Sequence, residues 1–82
     1  MNKPHILFHL TEARDAIQKL IGELQSDPDY EFGNYRVDVE HLYHHLNSAW
    51  NGRDASKEAV DTCSQEDFER WRQFPTDIQL LS

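Results

Sequence analysis

The sequence contains a single cysteine, Cys63, and no long hydrophobic run, and these two absences exclude several classes of protein. One cysteine cannot form an intramolecular disulfide, so a disulfide-stapled scaffold is excluded and a reducing cytoplasm is the expected location. No segment approaches the roughly 18 consecutive apolar residues that a membrane span needs. Polar residues interrupt the apolar run near the start, so we expect no signal peptide either.

Glycine and basic residues are also scarce. The three glycines, at positions 22, 33 and 52, leave no glycine-rich phosphate loop, and neither the serines nor the cysteine lie in a nucleophile motif. Eight Lys and Arg stand against fifteen Asp and Glu, which gives a formal charge of -7. Such a field repels phosphate backbones and anionic lipids, so we expect neither a nucleic-acid partner nor a membrane partner.

The apolar residues that are present recur with helical spacing. Within residues 4–25 they lie three and four positions apart on one stripe: Ile6, Leu10, Ala13, Ile17, Leu20, Ile21 and Leu24. This pattern predicts an amphipathic first helix. Pro28 keeps Asp27 out of the helical region, so the helix is expected to end near Gln25.

Residues 26–36 concentrate turn-forming residues, yet three aromatics lie among them: Tyr30, Phe32 and Tyr35. We therefore predict a loop that folds back onto the core. A second helix is predicted over residues 37–51, with its apolar side formed by Val39, Leu42, Tyr43, Leu46, Ala49 and Trp50. Gly52 is placed to end this helix in the left-handed conformation.

Two short helices are predicted after Gly52. Asp54 or Ser56 is positioned to cap one that runs to Cys63, and Ser64 is positioned to cap a last helix before Pro75. No alternating pattern is long enough for a sheet. The sequence thus predicts one all-α domain over residues 1–82, a small three- to four-helix bundle with an aromatic-containing loop between helices 1 and 2.

Five histidines are many for 82 residues, and four of them form pairs spaced i,i+4: His5 with His9, and His41 with His45. Such spacing presents two imidazoles from one helix face, as some zinc sites require. His41 and His45 are the candidate metal ligands, because the acidic Asp38 and Glu40 lie near them. The alternative interpretation is that the histidines are solvated or lie at the edge of the core, and no cofactor is predicted.

The two histidine pairs are not expected to share an ion. If the first two helices run antiparallel and are joined by the long aromatic loop, Leu24 lies beside Asp38. His9 and His45 then lie on the order of 12 Å apart along the helix axis. One chain therefore cannot use both pairs for the same ion.

A polar stripe lies on the side of the predicted second helix opposite its apolar side. It consists of Glu40, His44, Asn47 and Asn51, spaced four, three and four residues apart, with Arg53 beside it. Asn is a poor helix former, so its use twice here indicates a requirement other than helix propensity. Three interpretations stay open: a recognition surface for a ligand or peptide, a face hydrogen-bonded to the loop or the last helix, and plain solvent exposure.

The aromatic residues have two interpretations. Most simply they form the core: Tyr43, Trp50, Phe68, Trp71 and Phe74. The rival is an exposed anchor at an interface, where Trp and Tyr are enriched. Phe74 lies on a different side of the last helix from Phe68, so it is the aromatic residue most expected at an interface.

These observations favour a function through protein contacts. No complete active site is present, and the core is barely large enough for one chain. The hypothesis is therefore a small accessory or interaction protein that binds a protein partner or itself, for example as a homodimer. The alternative is a bundle that binds a small ligand or a metal, or acts as an enzyme, through the His, Asn and Glu residues of the second helix.

Overall fold

The computed structural model describes residues 1–81, and this part of the chain forms four helices and no β-strand. The helices are α1 (Lys3–Ser26), α2 (Phe32–Asn51), α3 (Lys57–Thr62) and α4 (Gln65–Trp71). The predicted all-α bundle is confirmed. In the described residues no helix combines the length and the apolar character needed to cross a bilayer.

α1 is bounded by local signals in the sequence. The Asn2 side chain caps its first turn by accepting a hydrogen bond from the backbone N–H of His5 at 3.1 Å. Pro4 lies in that turn, where its missing N–H has no helical partner in any case. At the other end Asp27 is extended and Pro28 follows it. The observed bounds therefore differ from the predicted ones by one residue at each end.

The connection between α1 and α2 is shorter than predicted. Asp27 closes a tight turn, because its carboxylate accepts a hydrogen bond from the backbone N–H of Asp29 at 2.9 Å. Tyr30 follows, and its hydroxyl donates to the carboxylate of Asp38 in α2 at 2.6 Å. The aromatic loop does fold back onto the helices, but it does so through Tyr30 alone among residues 27–31.

α2 begins at Phe32, whereas the sequence predicts its start at residue 37. Asn34 fixes this start, since its side-chain oxygen accepts a hydrogen bond from the backbone N–H of Glu31 at 3.1 Å. Phe32 and Tyr35 therefore belong to the helix and not to the loop. The prediction was wrong because Gly and Asn, which favour turns, also suit the first turn of a helix.

α2 ends at Gly52 for a different reason from the one predicted. Gly52 has a φ of -99°, so the expected left-handed conformation is wrong. Glycine is needed because a Cβ at this position would collide with the imidazole of His5. The same close approach lets the Asn2 N–H donate to the carbonyl of Arg53 at 2.6 Å. The left-handed residue is Cys63, with a φ of 43° at the end of α3.

The two short helices begin where the sequence predicts. The Ser56 hydroxyl accepts a hydrogen bond from the backbone N–H of Ala59 at 3.0 Å, and Ser64 accepts one from Asp67 at 3.1 Å. Each serine is thus the N-cap of its helix. α4 packs against α2, and its Trp71 is only 5% exposed.

α1 and α2 form an antiparallel hairpin whose register differs from the predicted one. His9 Nδ1 lies 3.0 Å from His45 Nδ1, so the expectation that these residues lie far apart is wrong. The error follows from the loop, which is shorter than residues 26–36 and therefore brings α2 back along α1. The pairing of Leu24 with Asp38 is replaced by one in which His9 faces His45.

The hairpin has two broad faces, and α3 and α4 pack on one of them, the covered face. There the ring of His44 contacts Phe68 of α4 at a centroid distance of 5.3 Å, and Phe8 lines a cavity with Val60 of α3. At about 100° per residue, the opposite side of both helices is apolar. We term it the apolar face and define it by Leu10, Ile17, Ile21 and Leu24 of α1 and Tyr35, Val39, Leu42 and Leu46 of α2.

The apolar face is open to solvent in the described chain. Ile21 and Leu24, for example, are 49% and 56% exposed. Among residues 1–81, the apolar side chains that are fully buried are Ala13, Ala49 and Trp71. One copy of the chain therefore has a very small core for its length, because most of its large aliphatic side chains still contact water.

Candidate functional site

All five histidines of the chain meet at one end of the hairpin. His5 and His9 come from α1, and His41, His44 and His45 come from α2. We term this group the histidine cluster. Residues four apart lie one turn apart on the same helix face, so each i,i+4 pair is presented as a unit. The antiparallel register then places the two units against each other.

Three imidazoles of the cluster form a line. Nδ1 of His9 lies 3.0 Å from Nδ1 of His45, and Nε2 of His45 lies 3.0 Å from Nε2 of His41. Both ring nitrogens of the buried His45 are therefore engaged, one toward α1 and the other toward the exposed His41. A neutral imidazole has one N–H and one lone pair, so the tautomers of the three rings depend on one another.

The other two histidines, His5 and His44, contact aromatic residues of α4. Nε2 of His5 is 3.2 Å from the carbonyl oxygen of Ser48, and its ring packs against Trp71 at a centroid distance of 5.2 Å. His44 packs against Phe68, and its Nδ1 is buried without a hydrogen-bond partner in the described residues. His5 thus joins α1 to α2, while His44 leaves one unsatisfied acceptor or donor beside α4.

Burial favours the neutral form of three imidazoles of the cluster, those of His9, His44 and His45. Burial and the neighbouring histidines lower the pKa of His9 to about 4. Burial is also the first cause that lowers the pKa of His44 and of His45. The carboxylate of Glu12 acts in the opposite direction on the pKa of His45. These effects favour uncharged rings for His9 and His45, each with one lone pair and one N–H donor.

The two asparagines of the predicted polar stripe hold the end of α4. Nδ2 of Asn47 donates to the carbonyl of Arg72 at 3.0 Å, and Nδ2 of Asn51 donates to the carbonyl of Trp71 at 2.9 Å. The last carbonyls of a helix have no partner within it, so these amides satisfy groups that otherwise need water. This geometry favours the structural interpretation of Asn47 and Asn51 over that of a recognition surface.

Glu40 lies near the middle of α2 and Arg53 lies just after the end of the helix, so they do not form one site. Glu40 is exposed and pairs with Arg36 at 3.1 Å, one turn earlier. The guanidinium of Arg53 lies 4.1 Å from the centre of the Trp50 ring and 3.3 Å from the carboxylate of Asp77. The Arg53 side chain therefore holds the segment after α4 against the end of α2.

The aromatic residues divide between core and surface. Trp71 is buried, whereas Tyr43 and Phe74 are 45% and 65% exposed and contact each other edge-on at 5.1 Å. The expectation that these last two form the core is wrong, because Phe74 lies beyond the end of α4 and reaches only the outer side of α2. Phe74 stays a candidate for an interface.

A small cavity of about 200 Å³ lies beside His41, between α1 and α2. Its ionisable lining is Glu12, Asp15 and Lys19 from α1 and Asp38 from α2. As the side chains are placed, no three His, Cys, Asp or Glu residues in the described chain surround a common point that could hold a metal ion. The candidate ligands His41 and His45 thus supply two nitrogens, and a third ligand has to come from a side chain that moves.

Sequence reasoning missed two residues of this site, His9 and Glu12. Both lie opposite the His41–His45 pair only in the observed register. The sequence signal for this register is Asn34, three residues after Glu31. This capping pair starts α2 early, which shortens the loop and sets how far α2 runs back along α1. A capping residue in the loop was therefore the clue to which side chains meet.

No protein-family model matches the chain, and neither a search of curated proteins nor a search of solved structures finds a significant match. What the protein does is therefore inferred from its own residues.

Proposed function

We propose that this chain is a self-associating helical interaction protein, a homodimer whose two copies meet through the apolar face. One observation carries the proposal: Ile21, Leu24 and their neighbours are exposed on a single face, while few apolar side chains of the described chain are buried. Removal of apolar surface from water is the main favourable contribution to protein association. A second copy of the face covers the side chains that the helices of one chain leave in water.

The distribution of charge favours a second copy as the occupant. Helical geometry places the carboxylates of α1 and α2 away from the apolar face: Glu12, Asp15, Glu23, Asp38 and Glu40. Two chains that each have a net charge of -7 can therefore approach without opposed carboxylates in the contact. A two-fold symmetric contact requires a surface that complements itself, and a mainly apolar surface without charged side chains meets that requirement.

The dimensions of the apolar face set the size of the proposed contact. The face runs from Leu10 to Leu24 of α1 and from Tyr35 to Leu46 of α2, so it is about 20 Å long at about 1.5 Å per residue. Two helices packed about 8–10 Å apart make it about 20 Å wide. The projected area is therefore on the order of 400 Å² per copy, which places the contact among the smaller specific interfaces. The dimer would contain a bundle of four long helices.

Two further features fit this proposal. Recognition of a ligand by the polar stripe is less favoured, because Asn47 and Asn51 already bond to α4. A reducing compartment, the cytoplasm, is the proposed location, because the thiol of the one cysteine, Cys63, is exposed and free.

The test compares two neighbouring substitutions by sedimentation equilibrium at micromolar concentration. Ile17→Glu places a carboxylate on the apolar face, whereas Gln18→Glu adds the same charge on the outer side of α1. We expect a dimer for the unchanged chain and for Gln18→Glu. For Ile17→Glu we expect a dissociation constant at least about 100-fold higher, because each dimer would bury two unpaired carboxylates. Circular dichroism checks that both variants stay helical.

Two results would contradict the proposal. The first is a monomer of the unchanged chain at tens of micromolar, and the second is equal dimerisation of Ile17→Glu and Gln18→Glu. Salt gives an independent measurement, since added salt screens the repulsion between two copies with a charge of -7 each. Association should therefore tighten as the salt concentration rises, whereas a dimer held by ion pairs would weaken.

A further inference from the structure

The exposed end of the histidine cluster has the geometry of a chelating pair. The Nε2 atoms of His41 and His45 are 3.0 Å apart. Two nitrogens that each lie about 2.0–2.1 Å from one ion, at the angles of tetrahedral or octahedral coordination, are separated by roughly 2.8–3.4 Å. The pair therefore already has the spacing that a shared metal ion requires.

We propose that His41 and His45 bind a divalent transition-metal ion of the zinc type, with the carboxylate of Glu12 as the third protein ligand and water completing the shell. This site is separate from the proposed dimer contact, because its ligands lie along the seam between α1 and α2 and not on the apolar face. Two imidazoles and one carboxylate are a common ligand set for such ions.

Glu12 is the carboxylate best placed for this role. It is half-buried on the α1 side of the seam, and it lines the small cavity beside His41. The ion pairs within α1 join Arg14 to Asp15 and Lys19 to Glu23, so neither of them holds Glu12. The proposed site requires the Glu12 side chain to rotate toward the pair, because the described residues contain no preformed three-ligand group.

The charge around the cavity favours a cation. Its lining includes three carboxylates, from Glu12, Asp15 and Asp38, against the single ammonium group of Lys19. Acidic residues alone do not make a metal site, but here they line the same cavity as His41, whose Nε2 lies 3.0 Å from Nε2 of His45. The field therefore raises the local concentration of divalent ions where ligands are available.

His9 is a positioning residue for this site. Its Nδ1 lies 3.0 Å from Nδ1 of His45. When the Nδ1–H of His45 donates to His9, the lone pair of His45 is on Nε2, the atom that faces His41. Histidine ligands usually donate their second ring N–H to a neighbouring acceptor, which fixes both tautomer and orientation.

The test is a titration of protein made without a histidine tag and stripped with a chelator. Zn²⁺ binding is measured by calorimetry, and Co²⁺ in place of Zn²⁺ reports coordination through its visible spectrum. We expect one ion per chain, loss of saturable binding in His41→Ala, and at least about tenfold weaker binding in Glu12→Gln. Asp15→Asn is the matched control, because it removes the same charge from the same cavity; its affinity should stay within about threefold.

Several outcomes would overturn the proposal. They are the absence of saturable binding, one ion per two chains, undiminished binding in His41→Ala, and equal weakening by Glu12→Gln and Asp15→Asn. His41 is exposed, so its substitution leaves the packing intact, and circular dichroism verifies this. The role of His9 has its own test: His9→Asn keeps an acceptor near Nδ1 and should bind nearly as well, whereas His9→Leu should bind about 10–100-fold more weakly. Equal affinities of these two variants would refute that role.

Discussion

The covered face and the apolar face of the hairpin reverse the usual arrangement of a small domain. On the covered face Asn47 and Asn51 hold α4 by hydrogen bonds to its last carbonyls. On the apolar face isoleucine and leucine side chains, such as Ile21 and Leu24, lie in water. A domain that functions alone buries its aliphatic residues and exposes its polar ones. The contrast indicates that directional bonds fix the chain's own short helices, whereas the aliphatic surface is kept for association.

The largest effect expected within the covered face comes from Trp71→Ala. Trp71 is 5% exposed and packs against the ring of His5. Its truncation should lower the free energy of unfolding by about 3–5 kcal/mol, because it removes the largest buried side chain beneath α4. Chemical denaturation followed by circular dichroism measures this. Phe74→Ala, at a 65% exposed position, should cost less than about 1 kcal/mol. Equal losses would show that the division between core and surface is wrong.

An intermediate effect is expected from Asn47→Ala. The substitution removes the N–H that donates to the carbonyl of Arg72 at 3.0 Å and leaves a cavity at a position only 5% exposed. The free energy of unfolding should fall by about 1–3 kcal/mol. Glu40→Gln is the control from the same polar stripe, and it removes only an exposed ion pair with Arg36, so a change of less than about 0.5 kcal/mol is expected. An Asn47→Ala variant with an unchanged free energy of unfolding would contradict the structural role assigned to Asn47.

The smallest expected effect is the pH dependence of stability that the histidine cluster causes. The pKa of His9 is about 4 in the folded chain and 6.5 in its ordinary state, so between these values the unfolded state binds more protons. The free energy of unfolding should therefore decrease as the pH falls from 6.5 toward 4, and change little above 6.5. The lowered pKa values of His44 and His45 act in the same direction.

This dependence is measured by chemical denaturation with a chelator present, at about pH 7.5, 6 and 5. Asparagine does not titrate in this range, so the free energy of unfolding of the His9→Asn variant should fall less steeply with decreasing pH. His5, His44 and His45 face His9 and contribute to its lowered pKa. The His9→Asn variant keeps these three residues, so the comparison with the unchanged chain isolates His9. If the His9→Asn variant loses stability as steeply as the unchanged chain, the pH dependence does not come from His9. The apolar face has no titratable group in this range, so it should not contribute.

Much of the fold was predictable because its signals are local. Pro28 ends the first helix, and Ser56 and Ser64 cap the two short ones, each through an interaction that spans three residues or fewer. The start of α2 was predictable in principle, since Asn34 is a capping partner of Glu31. It was missed because the same residue types also form turns, and local propensity does not distinguish the two uses.

The candidate site was predictable only in part. The i,i+4 spacing of His41 and His45 follows from the helix alone, and so does their shared face. That His9 lies 3.0 Å from His45, and that Glu12 lies across the seam, depends on how far one helix slides along the other. Asn47 shows the same limit, because its partner is the carbonyl of Arg72, twenty-five residues later.

Helical periodicity, capping residues and charge were enough to specify four helices, one apolar side on each long helix, and an acidic surface without basic clusters. These properties arise from neighbours within about one turn of the chain, where backbone sterics and hydrogen bonding act directly. The assembly of all five histidines and the choice of face that α4 covers come from packing between distant segments. A shift of the hairpin by two turns preserves every helix and yet changes each of those contacts, because the favourable burial that selects one register is a property of the packed chain as a whole.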